Sequence, residues 1–129
     1  MSKILDANAI LRYLLNDIEE QAECVEEAIR SGAGTIPEVI AEVVYVLTGV
    51  YQCGRKEIAD TLSVFLKEID LVDKPVVMQA LVYYHTSNLD YVDCILAARA
   101  AVLKDDILTF DRKLNRMIQN SHAGRSVVE

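Results

Sequence analysis

Apolar and polar positions along the chain alternate between two periods, and each change of period marks an element. Ile4 and Leu5 form a short apolar run that ends at Asp6, after which Ile10, Leu11, Leu14 and Leu15 recur at the spacing of one helix face. Strand, acidic residue, helix is the pattern. Residues 17–30 place Ile18, Ala22, Val25 and Ile29 between glutamates, which predicts an amphipathic surface helix. Ser31-Gly32-Ala33-Gly34 closes it, since glycine readily takes the left-handed conformation that ends helices, and a minimal strand over 34–36 follows. Thr35-Ile36-Pro37-Glu38 matches a capping box, with proline tolerated in the first turn. The helix it opens puts Val39, Ile40, Val43, Val44, Val46, Leu47 and Val50 on an arc of roughly 160°, with Glu42 at its edge.

The second half repeats the alternation. Residues 51–54 read as a turn, 55–69 as a helix carrying Ile58, Leu62, Phe65, Leu66 and Ile69, and 71–72 as a brief strand. Pro75 starts a helix through Tyr84, which 85–88 break. From Tyr91 to Leu103 the pattern is apolar nearly all the way round, so this helix is expected to be mostly buried, with Asp90 as its N-cap and Asp93 and Arg99 as its only charges. Residues 107–110 read as a buried strand ending in Asp111, 112–119 as a helix, and 126–128 as an edge strand. Short strands alternating with helices predict an α/β fold, a three-layer α/β/α sandwich around a mainly parallel sheet, with residues 1–129 as a single domain.

Composition narrows the function. At 129 residues and 52% hydrophobic, the chain can bury one real core. No apolar run approaches the roughly 18 residues of a membrane span, and the first residues lack the apolar centre of a signal peptide. A cytoplasmic protein with no membrane partner is expected. A net charge of -7 and a pI near 4.8 speak against coating nucleic acid through a basic surface, yet acids gathered in one cleft would add to that total. Cys24, Cys53 and Cys94 are odd in number and lack a CxxC pair, which predicts buried thiols rather than a zinc site.

Candidate chemistry lies in the acids. Asp6 and Asp111 end predicted strands, where α/β sheets bind ligands, while Glu42 and Asp93 interrupt apolar helical surfaces where charge is costly unless paired. Two carboxylates about 4 Å apart repel by about 4 kcal/mol at an effective dielectric near 20, so a cluster of them wants a cation. All-oxygen ligands select a hard ion, Mg²⁺ or Mn²⁺, which activates water and stabilises charge on a phosphodiester. Asn8 and Thr109 are placed to orient a water or a ligand carboxylate, and Arg112, Lys113 and Arg116 to meet flanking phosphates. Plainer readings stand beside these. Asp6, Asp90 and Asp111 each suit an N-cap, Arg99 suits an ion pair with a structural acid, and Tyr45, Tyr83 and Tyr84 suit packing as well as base stacking.

Four stretches together carry a resemblance: ILDANAILRYLLND with Asp6 and Asn8, PEVIAEVVYVL with Glu42, NLDYVDCILAARA with Asp90 and Asp93, and ILTFDRKLNR with Asp111. In that order the chain resembles the PIN domain, and more closely the small VapC-type toxins. Ala7 departs from the threonine or serine common in the family between Asp6 and Asn8. The resemblance implies a metal-dependent endoribonuclease of a toxin-antitoxin pair, with Asp6, Glu42, Asp93 and Asp111 as its acidic quartet and Mg²⁺ or Mn²⁺ as cofactor. It also implies a homodimer and inhibition by a small antitoxin whose C-terminal segment lies in the toxin's groove. The alternatives are an RNA-processing nuclease outside such a pair and a non-catalytic PIN-like protein-binding module. An aspartyl phosphatase is set aside, because its second aspartate would stand where Asn8 does.

Overall fold

A computed structural model describes residues 1–126, with side chains through Ser121. The chain divides into two compact units, Met1–Lys74 and Pro75–Glu129. In the first, α1 (Ala7–Leu15) and α2 (Glu19–Arg30) lead into β1 (Gly34–Thr35), and α3 (Pro37–Gly49) and α4 (Arg55–Phe65) lead into β2 (Asp70–Leu71). β1 pairs parallel with β2, Gly34 opposite Asp70 and Thr35 opposite Leu71. On its other side Gly34 bridges Ile4, also parallel, so the predicted first strand is reduced to one bridge held by Gly34 N to the Lys3 carbonyl and Leu5 N to the Gly34 carbonyl. The helices that connect these segments pack on one another, α1 against α2 and α3, and α3 against α4.

The periodicity of α3 holds: Ile40, Val43, Val44 and Leu47 are buried, while Val50 at its end is exposed. In α4 the buried side chains are Ile58, Ala59, Leu62 and Phe65, and the helix ends at Phe65, four residues short of the expected 69. The capping box does not form. Ile36 is the N-cap of α3 without a side-chain cap, and the buried Thr35 hydroxyl donates instead to the Leu5 carbonyl at 2.8 Å. The strand claims that hydroxyl before the helix can use it.

The second unit contains α5 from Pro75 onward (α5 spans Lys74–Thr86), α6 (Tyr91–Val102) and α7 (Arg112–Ser126), with α6 packed on α7. Tyr84 meets Tyr91 edge-to-face at 5.7 Å, and the Tyr83 hydroxyl lies 2.8 Å from Ser121 Oγ, joining α5 to α7. As expected, α6 buries Cys94, Ala97, Ala98 and Ala100. Arg99 pairs with Asp105 through Nε and Nη2, both at 2.7 Å, the structural role anticipated for it.

Two expectations need correction. Residues 107–110 form no strand among the described residues, and Leu108 and Phe110 are 89% and 94% exposed. An apolar run of this length records a preference for extended backbone, but a ladder also needs a partner edge. The thiols are not uniformly buried either: Cys94 is buried, Cys53 half-buried and Cys24 exposed, all of them free. The edge strand expected over 126–128 falls on Ser126, the last residue of α7, and otherwise lies outside the described residues. Among the described residues no helix is long and apolar enough to cross a membrane.

Candidate active site

Asp6 stands where the bridged segment turns into α1. Its backbone is extended (φ -85°, ψ 175°), and its Oδ1 accepts from the Ala9 N–H at 2.8 Å, so it caps the helix. The cap occupies one oxygen, the side chain remains exposed, and the other oxygen is available to a ligand. Asn8 is exposed in the first turn. Glu42 sits on α3 beside buried Val43 and Val44 but is itself exposed and makes no ion pair among the described residues. Asp6 also rims an open cleft of about 550 Å³ whose other lining includes Ile4, Leu5, Ala9, Cys24 and Val25. Ser2, Lys3, Glu27 and Ser31 line it as well.

The second unit gathers three acids. Asp93 lies half-buried in the first turn of α6, and burial, then the negative charges of Asp111 and Asp90, hold its carboxyl above the usual carboxylate range. Asp90 occupies the N-cap position without a side-chain capping bond, and its carbonyl accepts from the Cys94 N–H at 3.0 Å. Asp111 caps α7 through Oδ1 and the Leu114 N–H at 2.9 Å. Thr109 lies two residues before Asp111. Its hydroxyl accepts from the Asp111 N–H at 3.0 Å and so fixes the backbone that carries this carboxylate. Arg112, Lys113 and Arg116 follow on α7, exposed and without ion pairs among the described residues.

The predicted residues thus fall into two sets, Asp6, Asn8 and Glu42 in the first unit and Asp90, Asp93, Thr109 and Asp111 in the second. Within the second set, Asp111 and Asp90 lie close enough to Asp93 for their charges to act on its carboxyl. Among the described residues no three His, Cys, Asp or Glu side chains stand close enough, as placed, to hold a metal ion. The donor chemistry nonetheless fits a hard cation. Asp93, Asp111 and Asp90 offer carboxylate oxygens alone, and burial followed by the charges of Asp111 and Asp90 makes the Asp93 charge costly, a cost that a divalent cation would offset.

Sequence reading gave Thr35 to a helix cap and Thr109 to a water or ligand carboxylate, and the backbone contacts of both hydroxyls were not foreseen. Neither spacing nor composition reports which carbonyl or amide a threonine hydroxyl will meet. Comparisons with curated proteins and with solved structures give no match. The family model described as PIN domain matches residues 3–119, which include every acid named above. Nuclease-type chemistry is what that fold generally carries, and its α/β class is the one observed. With all but the two ends of the chain matched, this protein belongs to the PIN domain family.

Proposed function

We propose that the protein is a metal-dependent endoribonuclease of the VapC toxin type, working as one domain over residues 1–129 and leaving a 5'-phosphate on the RNA it cuts. Asp6, Glu42, Asp93 and Asp111 would hold Mg²⁺ or Mn²⁺, with Asn8, Asp90 and Thr109 in support. The observation that supports this reading is the PIN domain match over residues 3–119, within which the half-buried Asp93 lies near Asp111 and Asp90. When bound, a divalent cation supplies Lewis-acid polarisation and lowers the pKa of water.

The chain's own contributions follow from its geometry. Thr109 and the α7 cap hold the Asp111 carboxylate in one place, and the Ala9 N–H does the same for Asp6. Arg112, Lys113 and Arg116 provide exposed positive charge directly after Asp111 for the phosphates flanking the scissile bond. The partners we propose are a cytoplasmic RNA, a cognate antitoxin and a second copy of the chain.

Asp6→Asn tests the reading. Asparagine caps as well as aspartate, so α1 should survive while the charge is lost. We expect Mn²⁺-dependent RNA cleavage to fall by more than about 100-fold with little change in the thermal melt. Equal cleavage by both forms would remove Asp6 from the site. Absence of Mn²⁺ binding by calorimetry at neutral pH would favour the non-catalytic module.

A further inference from the structure

We propose that Thr35 is a positioning residue for Asp6, setting the aim of that carboxylate from across the sheet. The proposal deepens the nuclease reading and rests on it where Asp6 is taken as a metal ligand. In the parallel pairing of Ile4 with Gly34, the Gly34 N–H reaches the Lys3 carbonyl at 2.9 Å and the Leu5 N–H reaches the Gly34 carbonyl at 2.8 Å. The next rung of such a ladder would bring the Ile36 N–H to the Leu5 carbonyl. At that point the chain leaves the sheet, because Ile36 is already the N-cap of α3. The Thr35 hydroxyl takes the missing rung, donating to the Leu5 carbonyl at 2.8 Å.

That carbonyl belongs to the peptide joining Leu5 to Asp6. Holding its plane sets the direction in which the Asp6 Cα–Cβ bond leaves the backbone. Asp6 is exposed, so few side-chain contacts aim it. Its direction depends on this peptide and on the Ala9 N–H that Oδ1 accepts. Thr35 is fully buried. A valine there keeps the shape and loses the donor. A serine keeps the donor and loses a methyl group.

The test uses the full chain with Thr35→Val and Thr35→Ser, measuring Mn²⁺ affinity by calorimetry and amide exchange at Ala9 and Leu62 without metal. Thr35→Val is expected to weaken Mn²⁺ binding about tenfold, in the range seen when a group supporting a metal ligand is removed. It should also speed exchange at Ala9 more than at Leu62, a core position of α4 that reports global opening. Thr35→Ser should return both readings to within about twofold of the parent. Unchanged Ala9 exchange in Thr35→Val overturns the proposal, as does equal acceleration at Leu62. So does a serine variant as impaired as the valine one, a comparison that still decides if the valine variant does not fold. If the parent itself binds no Mn²⁺, the metal reading of Asp6 fails, while selective exchange at Ala9 still upholds Thr35 as what aims that side chain.

Discussion

Asp93→Asn is expected to abolish Mn²⁺-dependent RNA cleavage, by more than about 100-fold, while making the metal-free protein more stable at neutral pH. The unusual combination follows from the direction of the Asp93 shift. In the unfolded chain its carboxyl ionises near the usual 3.8; in the folded chain burial and the charges of Asp111 and Asp90 push ionisation to higher pH. Above both values the fold must hold a charge it disfavours, which lowers stability. As pH falls through the window between them, the folded state takes up the proton first and the penalty disappears. Asparagine removes the charge at every pH. Thermal melts in chelator should therefore show the variant above the parent at pH 7, with the gap closing towards pH 3.8. Loss of the favourable charge at the start of α6 works against this gain and sets its ceiling. Added Mn²⁺ reverses the order: at 100 times Kd it stabilises the parent by about 2.7 kcal/mol and leaves the variant nearly unmoved. A variant that is less stable than the parent at pH 7 and still cuts RNA would refute both halves.

Gly34→Ala is the expected large effect on stability. A Cβ at Gly34 would sit 2.8 Å from Asp70 Cβ and 3.0 Å from the Asp70 carbonyl carbon, and closer still to its oxygen. The obstruction is mostly backbone and cannot swing aside. Gly34 cannot retreat either, because its N–H and carbonyl are tied to Lys3 and Leu5 on the opposite side. Forcing β1 and β2 apart costs about 1–3 kcal/mol or more, against at most about 1 kcal/mol gained from a stiffer unfolded chain. A fall in melting temperature of several degrees is expected. An unchanged melt would show that the strand pair yields more easily than its hydrogen bonds imply. RNA cleavage should fall as well, since the segment displaced from β1 is the one that ends in Asp6.

The acids were legible in the sequence to different degrees. Asp93 stood out because a lone acid on a nearly all-apolar helix needs a reason, and the structure adds, besides its partial burial, the neighbours Asp111 and Asp90 that make its charge costly. Asp6 and Asp111 stood out because each closes an extended apolar run, and both prove to cap the helix that follows. Asn8, Glu42 and the cations of α7 are exposed, where one solvated position resembles another. Thr35 was misread because a capping box and a buried rung to Leu5 use the same residue; the choice belongs to a carbonyl 30 positions away.

Local pattern by itself determined the helices α1 to α7, the buried faces of α3, α4 and α6, and the membership in an α/β class, because helix periodicity depends on residues three and four apart in one segment. Which extended stretches pair was decided only by tertiary structure. Ile4 is reduced to one bridge, and Leu108 and Phe110 lie open to solvent, because a strand is completed by an edge elsewhere in the chain. The same holds for the site: residue type marks a carboxylate as available, but only position in space brings Asp111 and Asp90 to bear on Asp93, since Coulomb energy depends on distance and dielectric rather than on sequence order.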